Sequence, residues 1–235
     1  MYVKYYSNGD SSMSSIKLKH SGGNSVSIAA PSSNPSSNRT LTVPSNADGT
    51  ILTSTSGSSI QVLEQFYTPC DGSTIATAKG NITVENVSAI QDMTTTFADI
   101  TGSTLTYEPP DGTTQVIYEF GCNISGDGNV SNSTMSTQIV LNGNAILYSG
   151  QTDRLGASYA DTYRTIKFGI NIGGSTSTDT GRLASWNSGI VIKVQGAEYG
   201  SSNQSQVHSL LNFGSSSPQR FNMPQVGITA IGVPS

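Results

Sequence analysis

Val116, Tyr118, Phe120, Cys122 and Ile124 take every second position along one stretch of this chain, separated by Ile117, Glu119, Gly121 and Asn123. A period of two puts all five on one face of a β-strand, whereas a helix would scatter them around its axis. Burying such a side chain is worth roughly 1.5–3 kcal/mol, so the face demands a covering layer. The alternation recurs at Ile166, Phe168, Ile170 and Ile172, at Ile190, Ile192 and Val194, and at Val226 and Ile228. Residues 137–148 read as a hairpin around Asn142-Gly143-Asn144, since Asn-Gly tolerates the positive φ angles of a tight turn. Strands at this spacing, joined by Gly/Ser/Asn loops, predict an all-β antiparallel sandwich or jelly roll. Leu155, Tyr159 and Tyr163, four residues apart, allow a helical turn within 152–164.

Composition agrees. Ser and Thr fill about a quarter of the 235 residues, 25 are Gly, and charged residues make up only 11%. Disorder normally couples low hydrophobicity to high net charge, but this chain carries a net charge of −4 with ten Tyr, six Phe and one Trp. The eleven Lys and Arg are scattered, the densest group being Lys17, Lys19 and His20, so no nucleic-acid partner is expected. No apolar run reaches the length of a signal-peptide core or a membrane span, which predicts synthesis in a cytoplasm without membrane insertion. Two cysteines, Cys70 and Cys122, are too few for a disulfide framework and fit a reducing compartment.

The N-terminal quarter has a different texture. Residues 1–15 are polar and read as an arm. From 16 to 52 the apolar residues come in short pairs (Ile16/Leu18, Val26/Ile28, Leu41/Val43, Ile51/Leu52) between turn-forming clusters. A module below about 40 residues rarely stands alone without metals, disulfides or partner chains. This one is therefore expected to fold against copies of itself or against a host surface. Thr53–Ile60 reads as a flexible link. The full division is an arm at 1–15, an anchoring and trimerising β module at 16–52, a connector at 53–80 and a jelly-roll head at 81–235.

The segment from Ile16-Lys-Leu-Lys-His-Ser-Gly-Gly-Asn24 through Ser27-Ile-Ala-Ala-Pro31, Arg39-Thr-Leu-Thr-Val-Pro44 and Asn46-Ala-Asp-Gly-Thr-Ile-Leu52 resembles a module of tailed-bacteriophage fibre and virion proteins, of the marine-phage type. Ile60-Gln-Val-Leu63, Phe97–Tyr107, Pro109-Pro110 and Val116–Phe120 are similar to the opening strands of phage TNF/C1q-like jelly rolls, and Val226–Val233 to the closing strand. The resemblance implies a homotrimer in the virion, held to other virion proteins through its N-terminal module. It brings no catalytic motif.

The residues themselves offer little chemistry. His20 and His208 fall in different modules, and neither a Gly-x-Ser-x-Gly elbow nor a phosphate-cradling loop is present. Gly126-Asp-Gly128 lacks the third glycine and the following helix of a dinucleotide site. Ser125-Gly-Asp-Gly-Asn129 lacks the bidentate acid of a calcium loop. The expectation is a protein without catalytic residues, metal or cofactor. Trp186, Tyr159 and Tyr163 are the candidate receptor-binding residues, because loop aromatics can stack on sugars. Against this, a lone Trp more often anchors a core or a subunit interface. Asp153, Asp161 and Asp179 are the aspartates that could converge, as glycoside hydrolysis needs two carboxylates about 5–9.5 Å apart.

Three functions follow, in order of preference. The first is a trimeric short fibre or spike whose head attaches to a host-surface glycan or protein. The second is a capsid decoration or cement protein, and the third a virion-bound glycan hydrolase.

Overall fold

The computed structural model describes residues 15–19, 25–29, 60–126, 133–155, 161–201, 204–210 and 220–233. The chain divides into two compact units, Met1–Ile51 and Leu52–Ser235. In the first, β1 (Ser15–Lys19) and β2 (Ser25–Ala29) form an antiparallel pair with Ile16 opposite Ile28 and Leu18 opposite Val26. The segments expected around Leu41/Val43 and Ile51/Leu52, and the arm apart from Ser15, lie outside the described residues.

The second unit begins with β3 (Gln61–Pro69) and a small hairpin of β4 (Thr74–Thr77) and β5 (Gly80–Thr83). Three short strands follow: β6 (Gln91–Asp92), β7 (Ala98–Asp99) and β8 (Leu105–Tyr107). The long central strands are β9 (Thr113–Gly126) and β10 (Ser133–Leu141), then come β11 (Asn144–Ala145) and β12 (Gln151–Leu155). Next are β13 (Asp161–Asn171) and β14 (Ile190–Glu198). The unit closes with β15 (Ser205–Val207), β16 (Ser209–Leu210), β17 (Arg220–Phe221) and β18 (Gln225–Gly232). No α-helix occurs among the described residues.

All ladders are antiparallel, and in the larger unit they make two six-stranded sheets beside the two-stranded pairs β4–β5 and β16–β17. In one, β9 carries β13 along one edge, while its other edge is shared between β18, which pairs with β3, and β15, which pairs with β6. In the other, β14 and β10 form the centre, flanked by β7 and β8 on one side and β11 and β12 on the other. The chain crosses between sheets from β6 to β7, β8 to β9, β9 to β10, β12 to β13, β13 to β14 and β14 to β15. The first and last long strands, β3 and β18, lie side by side. This is the winding of a jelly roll.

The alternating faces supply the core. Val116, Tyr118, Phe120, Cys122 and Ile124 of β9 are fully buried, with Ile166, Ile170, Val226 and Ile228 from the same sheet. Leu105, Met135, Ile139, Ile192 and Val194 meet them from the other. The hairpin forms as its turn residues require: Leu141 pairs with Asn144, and Asn142 and Gly143 take φ angles of 50° and 83°.

One boundary needs correction. The connector expected over 53–80 contains β3, β4 and the first residue of β5, and β3 is a full sandwich strand, so the head begins near residue 60 rather than at 81. The 152–164 segment shows no helical turn where it is described. Leu155 ends β12 against β10 and Tyr163 lies in β13 against β9, so ladder bonds take up the backbone groups a helix would have used.

Candidate functional site

The outer face of the β3–β18–β9–β13 sheet is the most distinctive surface of the larger unit. Its register lines up outward residues in rows across the four strands. One row runs Val62, Ile231, Gln115, Asn171, the next Gln65, Thr229, Ile117, Gly169, and the third Tyr67, Gly227, Glu119, Lys167. Glu119 and Lys167 form an ion pair at 3.0 Å within the third row.

Two glycines make a shelf on this face. A Cβ at Gly227 would run into the Tyr67 ring and stand 2.6 Å from the Phe66 carbonyl oxygen. A Cβ at Gly121 would collide with the hydroxyls of both Tyr67 and Tyr163. The two tyrosines thus lie down over bare backbone from opposite sides, and their hydroxyls hydrogen-bond to each other. Burial first, and then that bond, holds the Tyr67 phenol well above its ordinary range. Each remains about half exposed (47% and 49%); two rows away, Val62 of β3 (54%) and Ile60 just before that strand (69%) are also uncovered. The face thus combines exposed tyrosine, valine and isoleucine with the polar side chains of Gln65, Gln115 and Asn171 and the Glu119–Lys167 ion pair.

The three aromatic residues singled out from the sequence fare differently. Trp186 is a correction: only 4% of it is exposed, its indole N–H donates to the Tyr107 carbonyl at 3.0 Å, and its ring stands edge-on to that of Tyr107 at 6.1 Å. Tyr107 in turn packs edge-on against Phe66 and donates its hydroxyl to Glu64 Oε2 at 2.7 Å. Trp186 is therefore a core residue with no surface to offer a receptor. Tyr163 is exposed, but it belongs to the sheet face rather than to a loop. Tyr159 lies outside the described residues. The residues missed in the sequence are Tyr67, Gly121 and Gly227. Gly121, isolated within an otherwise perfect strand pattern, was the available signal, because such glycines mark close approach.

The aspartates occupy separate elements. Asp153 on β12 is held by Arg164 of β13, Oδ1 to Nε at 3.3 Å, across the open edge between the sheets. Asp161 stands at the start of β13 opposite Ser125, and Asp179 sits in a turn where its carbonyl accepts from the Tyr148 N–H. His208 is wholly buried, edge-on to Phe120, with Nε2 3.1 Å from Thr101 Oγ1 and Nδ1 without a partner. Burial pushes its pKa down to about 4. Among the described residues no group of three His, Cys, Asp or Glu is placed to hold a metal ion, and no helix is long and apolar enough to cross a membrane. Most of the glycine-rich loop Ser125–Asn129 falls outside them.

No family model matches the chain, and no curated protein matches it. Among solved structures, a chain from the cryo-EM structure of Mud Crab Dicistrovirus aligns with 99% of this chain and 96% of its own, at 9% identity and a TM-score of 0.20.

Proposed function

We propose that this chain is a non-enzymatic structural protein of a virus particle, and specifically a trimeric short fibre or spike of a tailed bacteriophage. Its N-terminal module docks to other virion proteins, and its jelly-roll head faces the host surface. The observation that carries the reading is the uncovered Tyr67–Tyr163 face with Val62 and Ile60 beside it, which suits a second and third copy of the same chain. Closed three-fold assembly covers such a face without leaving a sticky end. The jelly-roll winding and the phage-like motifs from Ile16 to Leu52 support the particle assignment.

The test is the absolute mass of the full-length protein in solution, beside that of Val62→Lys and Tyr67→Lys variants. Three copies of the 24.5 kDa chain weigh about 74 kDa. Wild-type protein at that mass, falling to the single-chain mass in both folded variants, is the expected result. A monomeric wild type removes the assembly argument. Labelling intact particles with an antibody to the head then separates two locations: signal on the tail supports the fibre or spike, and signal over the whole shell moves the protein to capsid decoration.

A further inference from the structure

We propose that a cleft at one end of the head, between the Asn142-Gly143 turn and the 176–182 loop, binds a carboxylate-bearing sugar residue through Arg182. The cleft has a volume of about 160 Å³. That is well below the roughly 300–1,000 Å³ of sites for larger ligands, so it takes one sugar ring rather than a chain. Its floor is apolar, from the buried Leu141 and Ile146, and suits the C–H face of a pyranose.

Its walls are hydrogen-bonding groups with protons to spare. The Thr176 hydroxyl oxygen accepts from the Ala184 N–H at 3.1 Å, and the Ser177 hydroxyl oxygen accepts from the Thr180 N–H at 3.4 Å. Each oxygen thereby uses one of its two acceptor lone pairs, and both O–H groups remain free to donate. Asn142 and Asn144, exposed on the opposite lip, bring amides that can donate and accept in pairs, as neighbouring ring hydroxyls require.

Arg182 supplies the charge. It is exposed and lines the cleft, and none of the ion pairs among the described residues involves it, although Asp179 lies in the same loop. A guanidinium with no internal acid, set among hydroxyl donors, selects a planar carboxylate that it can grip with two parallel bonds. The turn is held rigid from below. Gly181 adopts φ +71° directly against the Ile146 and Phe168 side chains, where any Cβ would collide.

The proposal rests on the host-attachment reading for the source of the sugar, but its chemistry can be tested apart from it. Full-length protein is titrated with trigalacturonate, with neutral maltotriose and with acetate, by calorimetry. Saturable binding of trigalacturonate alone is expected, weakening as salt is raised. Affinity should drop by about tenfold or more in Arg182→Gln, through loss of the charge-assisted pair. Asn144→Asp, which puts a negative charge on the lip, should give a similar drop, with mass and melting temperature unchanged in both. Absence of saturable binding overturns the proposal. So does binding that survives both substitutions, or that maltotriose or acetate reproduces at equal concentration. None of those failures touches the trimer mass or the particle labelling, which test the assembly reading alone.

Discussion

The indole N–H of Trp186 donates to the backbone carbonyl of Tyr107 at 3.0 Å while the two rings meet edge to face. One loop side chain thus fixes an edge strand of one sheet by both packing and a hydrogen bond. Trp186→Ala should cost about 3–5 kcal/mol of unfolding free energy, the range for emptying a large aromatic site in a core. Trp186→Phe should cost less, since it keeps much of the packing and leaves one carbonyl unpaired, a penalty of about 1–3 kcal/mol. Urea unfolding followed by tyrosine fluorescence measures both. A near-neutral alanine variant would mean that the ring contributes nothing to the core.

Gly121 and Gly227 differ in what an added methyl meets, and that difference predicts two phenotypes. At Gly121 the obstacles are the far ends of two tyrosine side chains, which can swing away. Gly121→Ala should therefore fold with a loss of under about 1–2 kcal/mol, within the ordinary range for a point change. It should still weaken self-association, because both rings lift off the shelf. At Gly227 the methyl meets the Phe66 carbonyl oxygen and the Tyr67 backbone, and β3 must shift. Gly227→Ala should be clearly the less stable of the two in thermal unfolding. Equal stabilities would contradict the shelf geometry.

The sandwich was legible wherever one face alternates without interruption. The β9 pattern from Val116 to Ile124 named five core residues, and Asn142-Gly143 named its turn, because each is decided by neighbours along the chain. β3 hides within the expected connector for a local reason. Its register against β18 slips between Ala230 and Ile231, so Val62 faces outward while Glu64 and Phe66 face inward, and Leu63 spoils the alternation. The sheet face was illegible for a different reason. Tyr67, Gly227, Gly121 and Tyr163 are brought together only by pairing β3 with β18, β18 with β9 and β9 with β13, and periodicity along a single strand carries no register. Whether Trp186 binds or packs is undecidable from its loop context, because its burial depends on Tyr107 some eighty positions earlier.

His208 should make the head acid-sensitive. Its pKa is about 4 in the folded protein, below the ordinary value near 6.5 that the unfolded chain shows. Between those values the unfolded state binds the extra proton, so stability falls as pH drops from about 6.5 to about 4 and then levels off for this residue. Each unit of displacement corresponds to about 1.4 kcal/mol. The carboxylates Asp71 and Asp99 are held below their usual range and act only at still lower pH. His208 also has φ +64°, a left-handed conformation that asparagine tolerates well. His208→Asn should flatten the profile between pH 6.5 and 4, read from urea midpoints across that window. An unchanged slope would assign the acid sensitivity elsewhere.

Cys70 and Cys122 should be silent to thiol reagents in the native protein. Both are fully buried. The Cys70 thiol lies 3.2 Å from the Gly102 carbonyl, to which it donates. Burial, reinforced by Glu85 and Asp71, pushes its pKa up to about 12. Cys122 is likewise raised to about 12 by burial and then by the Asp153 carboxylate. Only the thiolate attacks a disulfide reagent, and at neutral pH neither group supplies one. Mixing native protein with such a reagent should release almost no chromophore, and adding denaturant should release two equivalents per chain. The rate of release without denaturant then reports opening of the sandwich itself, because β9 must leave the core before Cys122 can react. A fast native reaction at Cys122 would mean that the two sheets part far more readily than their shared core allows.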